Sequence, residues 1–266
     1  TRYGTVTGVQ TCALPIYRNC SFEPLEGMKR PAKPEHKFVL RCPTLKELTR
    51  SVLKKRNAAA PGFNGITYVA LKKCPALLSF LYKLGRKIWE SEEVPDDWAQ
   101  AYITLLSKSD DLSIPVEFRP IAITSTIGKA FFSVISERLQ HFMLKNKYID
   151  RKVQKGFLSG MPGCIEHSFA LFEALKEAKE ETRQIVVIWI DLANAYGSVR
   201  HNLIQFALNW YHVSKLIQNL IFNYYEKLMA IVTTKSWSTF FFLFDIGLFQ
   251  RSEEHTSELQ SQFRIS

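Results

Sequence analysis

The pattern of apolar and polar positions divides the chain into helical stretches that precede a set of strands. Thr44-Leu-Lys-Glu47 reads as a capping box, in which Thr44 and Glu47 each satisfy an exposed helix N–H. The helix it opens is predicted to carry Leu45, Leu48 and Val52 on one face. It closes at Lys54-Lys55-Arg56, cations that suit the negative end of a helix dipole. Ala60-Pro-Gly-Phe-Asn-Gly65 is a turn-rich loop. A second amphipathic helix spans Leu77 to Trp89, and Pro95 to Trp98 forms a break. Ala101 to Leu106 reads as a strand, Lys108 to Glu117 as a loop, and Phe118 to Ile121 as a second extended segment. Ile127 to Leu144 is a long helix with Phe131, Ile135, Leu139, Phe142 and Met143 facing inward.

Beyond that helix, residues 154–157 and 160–163 form a basic, glycine-bearing link, and Ile165 to Lys179 is helical with a solvated Lys/Glu face. Ile185-Val-Val-Ile-Trp-Ile190 is an apolar, largely β-branched run that ends at Asp191 and predicts a buried strand. An aspartate there either holds a metal ion at a sheet edge, within reach of a substrate, or caps the next turn. Helices follow at about Ser198 to Tyr211 and Ser214 to Leu228, each opened by a serine suited to capping. Met229 to Thr234 and Thr239 to Ile246 form a hairpin around residues 235–238. The order of elements predicts an α+β fold.

Composition narrows this picture. At 266 residues the chain can bury one good core, or one large and one small domain. No apolar run reaches the ~18 residues of a membrane span, since Asp245 interrupts the aromatic stretch from Phe240 to Phe249. The start shows no secretory signal. The five cysteines follow no zinc or disulfide spacing, which points to a reducing, intracellular compartment. Cys164-x-x-His167 has no matching second pair and reads as no zinc site. His201 and His212 read as helix surface or core. A net charge of +10 favours a polyanionic partner, nucleic acid first.

The two ends read differently from the rest. The segment R-S-E-E-H-T-S-E-L-Q at 251–260 can be encoded by AGA TCG GAA GAG CAC ACG TCT GAA CTC CAG. The reverse complement of that DNA, read from its third base, translates to G-V-Q-T-C-A-L-P-I, the sequence at 8–16. One inverted DNA segment, similar to a sequencing-library adapter, explains both. Residues 1–16 and 251–266 are therefore expected to be non-native tails, and native coding sequence is expected to stop near Gln250. Residues 17–43, polar and punctuated by Pro31, Pro34 and Pro43, read as a linker or extended arm.

Six blocks in order carry a family resemblance. They are A-P-G-F-N-G-I at 60–66, I-T-L-L-S-K at 103–108 and F-R-P-I-A-I-T-S-T-I-G-K at 118–129, then Q-K-G-F-L-S-G at 154–160, D-L-A-N-A-Y-G-S-V at 191–199 and I-G-L-F-Q at 246–250. Together they resemble the reverse transcriptases of non-LTR retrotransposons. The resemblance implies a right-hand polymerase with fingers at 44–180 and part of the palm at 181–250. It implies an RNA template, a DNA primer and deoxynucleoside triphosphates as partners, no membrane, and nuclear work for the intact element protein; the oligomeric state stays open. It also implies nucleotidyl transfer to a primer 3′-OH with two Mg²⁺ ions ~4 Å apart.

Residue by residue, Asp191 matches the first catalytic aspartate, a ligand to both ions, and the Leu192 carbonyl supplies a further oxygen. Tyr196 matches the aromatic gate that leaves no room for a ribose 2′-OH. Lys108 and Arg119 match basic finger residues that reach the incoming triphosphate. Gln250 matches a glutamine that contacts the incoming nucleotide, and Gly156 and Phe157 fall in a block near the template. Three departures stand out: the chain has no aromatic-x-Asp-Asp turn, Arg251 stands where the Gln250 block continues with Gly, and no thumb follows. The parent is thus expected to polymerise, while this chain is expected to be inactive, with an exposed palm strand and an aggregation-prone Phe240–Phe244. The alternative within reach of the same residues is a non-catalytic nucleic-acid-binding module with a degenerate palm; a third is a helical interaction domain with incidental charge.

Overall fold

The computed structural model describes residue 24 and residues 27–108, 117–156, 158, 160–161, 163–190, 195–234 and 236–249. Its elements are α1 (Leu45–Leu53), α2 (Tyr68–Lys73), α3 (Pro75–Ser91), a single 3-10 turn at Asp96–Ala99, β1 (Gln100–Ser107), β2 (Phe118–Thr124), α4 (Thr126–Lys145), α5 (Ile165–Glu180), the one-turn α6 (Ala195–Ser198), α7 (His201–Trp210), α8 (Lys215–Glu226), β3 (Met229–Thr233) and β4 (Phe242–Leu243). The architecture is mixed helix and strand, compatible with the α+β class, with one four-stranded sheet in the order β2-β1-β3-β4. β1 pairs antiparallel with β2 and parallel with β3, and β3 pairs antiparallel with β4.

The capping box forms in both directions. Glu47 N–H donates to the Thr44 hydroxyl at 3.3 Å, and Thr44 N–H donates to the Glu47 carboxylate at 2.9 Å. Leu48 and Val52 enter the core, whereas Leu45 stays exposed, so the predicted apolar face is narrower by one residue. The larger core gathers α1 to α4 with α7 and α8, around Tyr68, Leu81, Trp98, Phe131, Val134 and Ile217. α4 buries Phe131, Ile135 and Phe142 as its 3.6-residue period demands. α2 has no counterpart in the sequence reading: it is short, and its N-cap is Thr67, whose side chain accepts from Ala70 N–H at 3.2 Å.

Arg138 of α4 ties three segments together. Its guanidinium forks onto the Glu47 carboxylate at 2.8–3.1 Å and donates to the carbonyls of Val39 and Arg41 at 3.3 and 2.5 Å. The arm over residues 27–43 is thus extended, as its prolines predict, but it is fastened down. Arg30 donates to the Asn209 carbonyl at 2.7 Å, Tyr148 Oη to Ala32 O at 2.7 Å, and Asn146 bonds the His36 backbone on both sides. Phe38 is buried against Phe142.

A smaller core lies under the sheet. Ala99, Ala101, Ile103, Ala122 and Ala230 form a flat floor of mostly small side chains, on which Leu228 and Phe249 sit. The other face of β1 carries Tyr102, stacked on Phe63 with ring centroids 3.6 Å apart, and Phe63 meets Phe241 at 5.4 Å.

Several expectations are corrected here. Residues 185–190 do not form a buried strand. The segment is irregular, and Ile188 (78%), Trp189 (80%), Val186 (84%) and Ile190 (89%) are exposed. A strand needs neighbours to take up its N–H and C=O groups, and no described strand pairs with this run. α5 leaves its apolar side open as well, with Ile165, Phe169 and Phe172 all exposed. Ser198 does not cap the next helix: it ends α6, and the N-cap of α7 is Arg200, without a side-chain cap bond. Ser214 does occupy the N-cap of α8, but its hydroxyl makes no cap bond and is buried without a partner. His212 lies past the end of α7, in a left-handed conformation at φ 57°.

Acid stability follows from the Arg138 clasp. Burial alone would raise the Glu47 carboxyl, but the bonds from Arg138, Thr44 and Arg41 outweigh it and hold the pKa at about 2, below the ordinary 4.5. A depressed carboxyl contributes stability that is complete above its unfolded pKa and is lost as pH falls through the folded one. Glu47→Gln is therefore expected to lower stability at pH 7 by on the order of 3 kcal/mol. It should also flatten the loss between pH 4.5 and 2, as read from urea midpoints across that range.

Candidate nucleotidyl-transfer site

The loop at 60–66 owes its shape to two glycines. Gly65 adopts φ +66°, which closes a turn with a 3.0 Å bond from its N–H to Gly62 O. Gly62 lies against the junction of β2 and α4, where an added Cβ would stand 2.7 Å from Ser125 N and 2.8 Å from Thr124 C. Around that contact Asn64 Nδ2 donates to Ser125 Oγ at 3.2 Å, and Thr126 Oγ1 donates to Ile66 O at 2.5 Å. Ser125 also caps α4 by accepting from Gly128 N–H. The blocks at 60–66 and 118–129, nearly sixty residues apart in sequence, are one packed unit.

The block at 103–108 joins the same unit through the sheet. In the register of β1 and β2, Leu106 lies opposite Arg119, and Lys108 N–H donates to Glu117 O at 2.7 Å. Strand alternation places Arg119 on the face shared by Thr104 and Tyr102. Lys108 and Arg119 are thus neighbouring exposed cations at the end of the hairpin where β1 and β2 are connected.

A second unit forms where the turn at 196–201 meets the segment at 246–248. Leu248 N–H donates to Tyr196 O and Gly247 N–H to Val199 O, both at 2.7 Å, and Arg200 bridges Ile246 in antiparallel fashion. Gly247 sits at φ +98°, and an added Cβ would stand 3.1 Å from Gly197 Cα and 3.2 Å from Tyr196 O. Phe249 then anchors the segment on the alanine floor of the sheet. His201, at the first turn of α7, reaches across this seam: its Nε2 lies 3.0 Å from Gly247 O, and its ring lies 4.6 Å from that of Tyr225. The sequence reading left His201 as surface or core; its place five residues after Tyr196 was the available signal.

Of the residues singled out by sequence, the structure brings Lys108 beside Arg119, and Tyr196 beside the segment that leads to Gln250. Asp191, Leu192, Phe157 and Gln250 lie outside the described residues. Gly156 lies in a turn, its carbonyl bonded by Gln154 Nε2 at 3.0 Å, at the rim of a cavity of about 670 Å³ lined by Leu139, Tyr148, Asp150 and Tyr211. The adjacent Lys155 is buried and ion-paired with Glu166. His167 Nε2 meets Lys152 O at 3.0 Å, and Cys164 is a free, exposed thiol. No group of three or more His, Cys, Asp or Glu that could hold a metal is gathered among the described residues. No helix among the described residues is long and apolar enough to cross a membrane.

The chain's sequence relatives are RNA-directed DNA polymerases and Pol polyproteins of transposable elements, the class its six blocks resemble. It is 25% identical over 180 residues to the retrovirus-related Pol polyprotein from type-1 retrotransposable element R2 of Popillia japonica, a match of 67% of this chain and 24% of that protein. It is 24% identical over 177 residues to the probable RNA-directed DNA polymerase from transposon BS of Drosophila melanogaster, covering 66% of this chain and 18% of the relative. The R2 Pol polyprotein of Nasonia vitripennis gives 24% over 188 residues, 69% of this chain and 17% of its own length. The chain spans a quarter or less of the length of these curated relatives. No family model matches it.

Two glycines can be tested as close approaches. Gly62→Ala must push a Cβ into backbone atoms of Thr124 and Ser125, and is expected to cost about 1–3 kcal/mol in urea unfolding. Gly247→Ala combines a positive φ with contact on Gly197. It is expected to lower the melting temperature by about 2–4 °C or more, as measured by circular dichroism.

Proposed function

We propose that this chain is the fingers and part of the palm of an RNA-directed DNA polymerase. Residues 44–180 form the fingers, 181–250 the incomplete palm, and 17–43 an arm, whose part over 27–43 is fastened to both; 1–16 and 251–266 are adapter-like tails. The observation that carries this reading is the meeting of blocks that are separate in sequence: 60–66 and 103–108 with 118–129, and 196–199 with 246–248. Their order is what the resemblance to the family rests on, and their contact is what a shared substrate site requires.

In this reading Lys108 and Arg119 hold the triphosphate of an incoming deoxynucleotide, two cations against the charge that grows on the leaving group. Tyr196 faces the sugar and excludes a 2′-OH. Gln250 contacts the nucleotide, and Gly156 and Phe157 lie along the template. The Asp191 carboxylate and the Leu192 carbonyl would hold Mg²⁺, which supplies Lewis-acid stabilisation of phosphoryl oxygens when bound. The chain contains no aromatic-x-Asp-Asp sequence. One aspartate does not hold two such ions, so the chain by itself binds substrates but does not extend a primer. The exposed state of 185–190, outside the sheet, fits a chain that does not catalyse on its own.

Two measurements test this. The chain is expected to bind an RNA–DNA duplex with an affinity that falls steeply with salt, because phosphate contacts release counterions; salt-independent binding or none would sink the reading. Lys108→Ala and Arg119→Ala are each expected to weaken dTTP binding to that complex by about 10- to 100-fold, the worth of a charge-assisted bond of about 1.5–3 kcal/mol. Primer extension on poly-rA with oligo-dT should not exceed that of Asp191→Ala, and a clear excess would overturn the assignment of inactivity.

A further inference from the structure

The seam between residues 196–201 and 246–248 is crossed by backbone bonds and by the side chain of His201. Among the backbone bonds that cross it are Leu248 N–H to Tyr196 O and Gly247 N–H to Val199 O. Both partners lie in irregular or single-turn backbone. Such short ladders open easily, because they gain little from neighbouring turns or strands. The imidazole of His201 crosses it as well. A carbonyl oxygen only accepts, so the Nε2 facing Gly247 O at 3.0 Å carries the proton. The ring is braced on Tyr225 of α8, 4.6 Å centroid to centroid, and Tyr225 precedes the strand β3 that builds the alanine floor under Phe249. Burial lowers the imidazole pKa, against the opposing pull of the Gly247 bond and Asp245; the ring is therefore neutral and a fixed single donor at pH 7.

We propose that His201 is a positioning residue: by clasping Gly247 O from a ring braced on Tyr225, it fixes the backbone of residues 246–248 against that of Tyr196, and so holds the sugar-facing Tyr196 in place. The assignment rests on the polymerase reading for the role of Tyr196, while the clasp itself rests on geometry. Gly247 is the complementary device. Its lack of a side chain lets the two backbones approach to the distance that His201 then locks. A side chain acting only as packing would be replaced without loss by another ring of similar size. A clasp requires a donor at the Nε2 position.

The test compares His201→Phe, which keeps a ring against Tyr225 but removes the donor, with His201→Gln, whose amide nitrogen reaches the Nε2 position. Amide hydrogen exchange is followed in the full chain at Gly247 and Leu248, with Ala207 and Leu208 of α7 as internal reference. The expected result is at least tenfold faster exchange at Gly247 and Leu248 in His201→Phe, unchanged exchange in α7, and recovery of most of the protection in His201→Gln. Equal protection at Gly247 and Leu248 in His201→Phe overturns the proposal, as does equal loss in both variants. If His201→Phe does not fold, His201→Asn, whose amide falls short of Gly247 O, takes its place. Faster exchange than in His201→Gln then supports the clasp, and equal rates overturn it. Failure of the polymerase reading gives a different result, an intact seam in a chain that binds neither duplex nor dTTP.

Discussion

The ion pair between Arg138 and Glu47 is the constraint on which the helical part of this protein depends. Glu47 serves two structures at once: it completes the capping box that starts α1, and it receives the guanidinium fork of α4. Arg138 spends its remaining donors on backbone carbonyls of the arm. Carbonyl acceptors are independent of side-chain identity, so the arm is held by its course and not by its sequence. Nearly full burial of the guanidinium makes each of these partners necessary, since a buried cation without them would be strongly unfavourable.

From that scaffold the functional parts follow by close approach. The loop at 60–66 can touch the start of α4 because Gly62 has no side chain, and the segment at 246–248 can touch the turn at 196–199 because Gly247 has none. The floor beneath Phe249 is built from alanines for the same reason. Blocks that carry the resemblance to reverse transcriptases are therefore also the places where backbone meets backbone. A residue type in such a block answers to packing as well as to chemistry, and the two demands can fall on adjacent positions, as at Tyr196 and Gly197.

The run at 185–190 shows the limit of reading a strand from composition. Its β-branched, apolar side chains favour an extended chain, but they do not supply a hydrogen-bonding neighbour. With the sheet ordered β2-β1-β3-β4, that run stays irregular and exposed, as does the apolar side of α5. The same reasoning explains Ser198, where capping chemistry was present but the helix began two residues later, at the point where Arg200 bridges Ile246. It also explains α2, whose six residues carry too little periodicity to be seen without the core that Tyr68 and Leu71 fill.

Local chemistry was sufficient for much of the molecule. The Thr44–Glu47 box, the inward face of α4, the strand at 100–107 and the hairpin from Met229 could be read from propensity and period, because each is stabilised within a few residues or along one face. The ordered blocks likewise indicated the family in which relatives are found. Tertiary structure decided the rest: which blocks meet, that Lys108 and Arg119 share one hairpin, that His201 clasps Gly247, and that Ile185 to Ile190 remain outside the sheet. These depend on contacts between residues tens of positions apart, whose free energy is set by burial and by partners that a linear pattern does not contain.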